Sequence, residues 1–383
     1  MVENRKVNIV DGISSKTSRL ISIDALRGLA IVFMALDHAN YFVAQKHPPG
    51  EHWGGAFPVY CDALAFLTRL LTHPAAPGFA FLMGVGMFLF AHSRRNRGWS
   101  EWEIIRHFLV RGGFLIALQL LIINRAWQLG PEPFPTIYIG VLIALGGGMI
   151  LGSLLLWLKP GYLLALTSVL FIGSELLHPD PSQWGLNFDQ PLGLFLLYSG
   201  GDSILWSNYP ILSWLELVTF GIFFGHWLVE DPERAFKRAF WMGVAFLLAF
   251  VVIRYLNGFG NVRPRMGNGW IDFLNVVKYP PSMSFTLLTM GVNLIILRLL
   301  SRAVDKVQSC LQPLIVFGRA PLFFYILHLF LYLGLGRWLA PNGTNIPAMY
   351  TYWLLGLLIL FPLTLWYGAL KHRQPTSSLI RFL

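Results

Sequence analysis

The residues best able to do chemistry sit inside apolar sequence. Between Ser22 and His38 a membrane-length stretch carries Asp24, Arg27, Asp37 and His38. In hydrocarbon each such group costs roughly 2.5–3.5 kcal/mol on insertion scales, so intramembrane ionisable residues are functional candidates by default. Read as a helix, this segment places Arg27 and His38 about 20° apart in azimuth and about 16 Å apart along the axis. Asp24, Gly28, Ile31, Met34 and Ala35 lie close to the same face, a polar and small-residue stripe suited to lining a narrow path. A histidine near pKa 6.5 is a general base, and a guanidinium fork grips phosphate or carboxylate. Asp37 is placed to orient His38 or a neighbouring group.

Two further segments carry histidines. Thr72-His73-Pro74-Ala75-Ala76-Pro77-Gly78 reads as a helix start, so His73 would sit beside a positive helix end, where neutral imidazole is favoured and an oxyanion is stabilised. Gly84 and Gly86 then permit close helix contact. Later, Tyr325, His328 and Tyr332 follow one another by three and four residues and share a helix face. Arg111 and Arg319 mark the inner ends of their spans, as Arg27 does, where the three could hold the phosphates of a donor nucleotide. Glu175 and Glu216 are substrate contacts or helix–helix hydrogen bonds. The sequence contains no His-Glu-x-x-His, Gly-x-x-x-x-Gly-Lys or Gly-x-Ser-x-Gly, so a histidine base without a metal is the economical reading.

The elements that must position these groups are legible from composition. Of 383 residues 55% are hydrophobic and 13% charged, with mean hydropathy +0.57, whereas a soluble chain is about one quarter charged. The expected fold is an all-α, polytopic integral membrane protein with about ten transmembrane helices, near 23–43, 74–92, 105–123, 136–157, 161–178, 209–229, 236–256, 281–300, 313–337 and 349–370. Residues 1–22 and 372–383 are tails around a single transmembrane domain over 23–371. Residues 62–71 are too short to cross and lie at the interface; 190–198 are similar or re-entrant. Met1 to Ser18 is polar, so no signal peptide is expected. The net charge of +10 is dispersed between apolar spans, which argues against a nucleic-acid partner. With ten spans, twenty-one Lys and Arg fall on the side of both tails and eight on the other, making that side cytoplasmic. Cys61 and Cys310 then fall on opposite sides and cannot pair. Self-association is left open. The larger outer loops suit substrate recognition.

Several motifs resemble the heparan-α-glucosaminide N-acetyltransferase-like catalytic domain family, bacterial members in particular. They are Arg19-Leu-x-Ser22-Ile-Asp24-x-Leu-Arg27-Gly28 with Asp37-His38, Ala76-Pro77-x-Phe79-x-Phe81-Leu-x-Gly84 preceded by Thr72-His73, and Phe317-Gly318-Arg319-x-Pro321-Leu-Phe-x-Tyr325-x-x-His328. The opening also resembles that of wider transmembrane acyltransferases of surface glycans. The resemblance is strongest over 19–95 and 313–330. It implies a multi-span enzyme of the inner (plasma) membrane that takes an acetyl group from cytoplasmic acetyl-CoA to an amine or hydroxyl of an outer-side sugar or glycan. In lysosomal relatives the His38 position is Asn, and the catalytic histidine lies in the following loop, where this chain has His47 and His52. The base is therefore His38 or His73, then His52 or His328. A different class, a proton-coupled secondary transporter using Glu175, Glu216 and His328 with a kink at Pro321, is the alternative. It lacks a matched pair of interrupted helices in two halves.

Overall fold

A computed structural model describes residues 3–48, 51, 58–60, 62–178 and 191–374, with backbone alone for 3–20, 304, 305 and 372. His52 and Cys61 lie outside the described residues. Helix α1 (Glu3–Ala39) runs into a π-helical turn, Asn40–Ala44, that ends at Gln45 in the left-handed region (φ 55°). Next come α2 (Ala63–Thr72), α3 (Ala75–Arg95) and α4 (Glu101–Leu118). Asp62 caps α2, and Ser100 with Glu103 forms a capping box on α4, satisfying first-turn N–H groups. A second π-turn, Gln119–Ile123, leads to α5 (Asn124–Gln128), β1 (Ile137–Ile139), α6 (Val141–Ser153), α7 (Pro160–Leu176) and α8 (Pro191–Leu196). The chain continues through β2 (Gly200–Gly201), β3 (Leu205–Ser207), α9 (Ile211–Glu230), α10 (Pro232–Leu256) and α11 (Trp270–Leu274). It ends in α12 (Met283–Arg319), α13 (Pro321–Leu339) and α14 (Ile346–Arg373).

The protein is a helical, polytopic membrane protein. Seven described stretches are long and apolar enough to cross a bilayer, among them Ala63–Arg95 and Glu101–Gln128. The apolar helices α6 and α7 have 13 and 17 residues, and α1, with Asp24, Arg27 and Asp37, is not among the seven. Three expected boundaries differ. Residues 137–139 leave the 136–157 span to form β1, which pairs parallel with β3, while β2 pairs antiparallel with β3. Segment 62–71 does not stand apart from the second span: one apolar stretch runs Ala63–Arg95, with Phe66, Thr68 and Arg69 buried and a two-residue break at His73-Pro74 between α2 and α3. The 313–337 span is broken at Ala320 (φ −131°, ψ 55°), with Pro321 starting α13 at its first turn, where its missing N–H costs nothing.

Close crossings set the frame for the site. A Cβ on Gly28 would lie 1.8 Å from the Leu314 carbonyl oxygen, and one on Gly318 1.9 Å from that of Asp24. Only glycine lets α1 and the end of α12 meet so closely, which brings Arg27 beside Arg319. The long segment after α10 is pinned by the buried Arg254. Its guanidinium donates to the carbonyls of Asp272 (2.7 Å), Phe273 (2.8 Å) and Asn275 (3.0 Å) and to Asn261 Oδ1 (2.6 Å). Glu175 accepts from the backbone N–H of Val262 (2.6 Å) and Met283 (3.2 Å), and Glu216 from Thr286 Oγ1 (2.9 Å). Both acids therefore tie elements together, and neither lines the cavity described next.

Candidate active site

A cavity of about 570 Å³ lies among α1, α3, α4, α6 and α13, with the small sheet contributing Tyr138 and Trp206. Arg27, Arg111, Arg319 and Lys371 line one end, and Met34, Met83, Met87 and Leu145 the middle. His38, Asp37, Tyr41 and Lys278 line the other end, with Asn208 and Tyr209 from the loop after β3. The eleven residues from Arg27 to His38 make the path about 16 Å long on α1. At the cationic end Arg27 donates to Asp24 Oδ1 (2.8 Å) and to the Gly318 carbonyl (3.1 Å), while Arg319 Nε lies 3.5 Å from Asp24 Oδ2. Asp24 thus holds the two arginines side by side.

At the other end His38 Nδ1 and His328 Nε2 are 2.6 Å apart, and His328 Nδ1 is 3.1 Å from the Phe324 carbonyl oxygen. A carbonyl only accepts, so His328 carries its proton on Nδ1 and offers the Nε2 lone pair. His38 Nδ1–H must then donate to it, leaving the lone pair of His38 on Nε2. Tyr325 and Trp127 set their rings edge-on to His38, at 6.5 and 5.3 Å between centroids. Both π-turns flank this point, one just after His38 and one before Trp127, as π-bulges often do at functional sites. The arrangement is an oriented neutral imidazole with a basic nitrogen available to a substrate.

A buried ion cage forms part of this end: Asp37, His47, Glu51, Thr72 and Lys278 line the cavity around the fully buried Arg69. Arg69 donates through Nε to Glu51 Oε1 (2.7 Å) and through its terminal nitrogens to Glu51 and Asp37. Thr72 Oγ1 donates to Asp37 Oδ1 (3.0 Å), His47 Nε2 lies 3.7 Å and Lys278 Nζ 4.0 Å from that carboxylate. Burial alone would raise the pKa of Glu51, but the Arg69 guanidinium overcomes it and holds the carboxyl well below its usual range. Burial, reinforced by Arg69, lowers His47 to about 4, so it is neutral at pH 7.

The sequence-derived candidates divide clearly. Arg27, Arg111 and Arg319 meet at one end of the cavity, and His38 and His328, 290 positions apart, meet at the other. His73 does not join them. It is buried, places Nε2 3.3 Å from Glu51 Oε1 and packs its ring on Phe285, and it does not line the cavity. Asp37 lines the cavity but bonds to Arg69 and Thr72. Sequence reading missed Glu51, Arg69 and Lys278. Arg69, Thr72 and His73 fall on one helical face, which was a usable signal; the other two lie in loops, where no periodicity marks them. Among the described residues no group of three or more His, Cys, Asp or Glu is placed to hold a metal ion.

Fold and site together define a helical membrane protein with an internal cavity, cationic at one end and histidine-bearing at the other. Residues 19–256, more than half of the chain, match the family described as heparan-alpha-glucosaminide N-acetyltransferase, catalytic, and the chain belongs to that family. It is 30% identical over 133 residues to the heparan-alpha-glucosaminide N-acetyltransferase of Mus musculus and 29% identical over 135 residues to that of Homo sapiens. These alignments cover 34% and 35% of this chain but 18% of each relative. The family match contains Arg27, Asp37, His38, His73 and Arg111; Arg319 and His328 lie beyond it.

Proposed function

We propose that this protein is a transmembrane acetyltransferase that moves the acetyl group of acetyl-CoA to an amine or hydroxyl of a sugar or glycan. One observation carries the reading: a single cavity joins three arginines to the free Nε2 of an oriented histidine. Membership of a family named for acetyl transfer to a glucosaminide favours transfer over transport. Arg27, Arg111 and Arg319 suit the phosphates of CoA, since guanidinium groups bind them bidentately. The apolar, methionine-lined middle suits the thin pantetheine arm, and Trp206, Asn208 and Lys278 stand where an acceptor would lie.

In this mechanism His38 Nε2 takes the proton of the acceptor N–H or O–H as that atom attacks the thioester carbonyl. The new C–N or C–O bond forms, the C–S bond breaks, and the imidazolium returns the proton to the departing thiolate. His328 fixes the tautomer of His38 through Nδ1 and shares the transient positive charge. By the charge bias the arginine end faces the cytoplasm with both termini, and the acceptor end faces outward across the inner (plasma) membrane. The test is binding and turnover by the purified protein in detergent, using labelled acetyl-CoA and free glucosamine. Saturable acetyl-CoA binding and N- or O-acetylated product are expected. Absence of acetyl-CoA binding by folded protein overturns the reading, because a transporter has no reason to bind it.

A further inference from the structure

A second recess lies at the junction of α9 and α10, lined by Trp227, Arg234, Lys237, Arg238, Trp241 and Met242. None of these residues lines the cavity of the candidate active site. Arg234, Lys237, Arg238 and Trp241 follow i, i+3, i+4, i+7, so one face of α10 presents three cations and then an indole. Among the described residues its lining includes no carboxylate. Of the nearby acids, Asp231 pairs with Arg234 at 3.1 Å and Glu233 with Arg298 at 2.9 Å, while Glu230 is exposed and forms no ion pair among the described residues. Lys237 and Arg238 form no ion pair among the described residues, and the Arg238 guanidinium sits 4.7 Å from the Trp227 ring centroid. Beyond the one carboxylate paired to Arg234, Lys237 and Arg238 therefore leave an excess of positive charge at the recess.

The surroundings say what kind of anion fits. α10 has the highest mean hydropathy of the seven membrane-length helices, 2.1, yet only 22% of its apolar window is buried inside the protein. Leu248 and Val252, about two and three turns beyond Trp241, are 64% and 55% exposed, and Trp241 is 62% exposed. The recess thus stands at the end of a lipid-facing helix, where tryptophans sit at headgroup level. We propose that it binds the headgroup of an anionic phospholipid. Its phosphodiester would lie among Arg234, Lys237 and Arg238, its glycerol beside Trp241, and its acyl chains along the exposed face of α10. Phosphatidylcholine has the same phosphodiester but brings its own cation, so the recess should discriminate against it. Free phosphate has no chains to place on α10.

Native mass spectrometry of the detergent-solubilised full chain tests this. With phosphatidylglycerol and phosphatidylcholine added in equal amounts, phosphatidylglycerol adducts should predominate. The triple substitution Arg234→Gln, Lys237→Gln, Arg238→Gln should cut them by about tenfold or more, as three surface cations are removed. The variant should keep wild-type acetyl-CoA binding, which separates this claim from the catalytic one. If the triple variant does not fold, Lys237→Gln alone reads the same loss on a smaller scale, since that side chain is exposed. Equal retention by wild type and variant overturns the proposal, as does equal retention of the two lipids. Displacement of phosphatidylglycerol by millimolar inorganic phosphate also overturns it, marking a phosphate site, and so does capture of an acidic soluble peptide in preference to the lipid.

Discussion

Arg69→Met should be among the most damaging single changes in this chain. The guanidinium is fully buried and is the main counter-charge for two carboxylates, Asp37 and Glu51. Methionine fills much of its volume but, among the described residues, leaves His73, at 3.3 Å, as the ion-pair partner of Glu51, and Asp37 with Thr72, a distant Lys278 and His47. Stranding one partner of a buried ion pair typically costs about 3–5 kcal/mol. At roughly 2–4 °C per kcal/mol for mid-sized domains, the thermal midpoint in detergent should fall by about 10 °C. Adding Glu51→Gln removes one stranded charge, so the double variant should regain about 1–3 kcal/mol relative to the sum of the single changes. The assay is a thermal-unfolding series on all four proteins of the cycle. Strict additivity, or an unchanged midpoint for Arg69→Met, refutes the cage as described.

Gly318→Ala drives a Cβ into the Asp24 carbonyl and should cost about 1–3 kcal/mol as α1 and α12 separate, read as a lower midpoint together with weaker acetyl-CoA binding; a neutral substitution contradicts the crossing. Arg27→Lys keeps charge but loses the fork, so acetyl-CoA affinity should drop at matched salt, and equal affinities would remove Arg27 from the donor site. His47, lowered from 6.5 to about 4 in the fold, binds its proton more readily when unfolded. Its contribution is therefore complete above pH 6.5, declines as pH falls towards 4 and is flat below; His47→Gln should reduce the slope of stability against pH in that window, and an unaltered slope contradicts the assignment. With Cys61 and Cys310 replaced by serine, an impermeant thiol reagent should label Asn342→Cys but not Asn96→Cys in intact cells, and labelling of Asn96→Cys reverses the orientation.

Much of the scaffold was legible because bilayer physics imposes it: long apolar runs, small-residue stripes and a charge bias need only one sequence. The face joining Arg27 to His38 came from helical periodicity within α1; Arg27, Met34 and His38 of that face line the cavity, whereas Gly28 packs on the Leu314 carbonyl and Ile31 and Ala35 are buried in the core. What needed three dimensions was pairing across distance. Nothing in the spacing of His38 and His328 marks a hydrogen bond between them, and nothing around Lys278 marks it as a cavity residue, since Arg254 delivers its loop by bonds to backbone carbonyls. His73 was read from its place at a helix start, but its Nε2 meets Glu51, in a loop with no period, and its ring packs on Phe285 outside the cavity lining. Helix ends failed where local chemistry outranked hydropathy: apolar Ile137-Tyr138-Ile139 pairs with β3, and Pro321 opens a helix after the break at Ala320.

The central claim is that His38, held by His328, is the base for acetyl transfer. The direct measurement is turnover of purified His38→Ala beside its acetyl-CoA affinity. Loss of the base should lower turnover about 10²–10⁴-fold, with affinity nearly unchanged, because the arginine end of the cavity lies about 16 Å away along α1. Near-normal turnover in a folded His38→Ala protein, or parallel loss of affinity and turnover, contradicts the account.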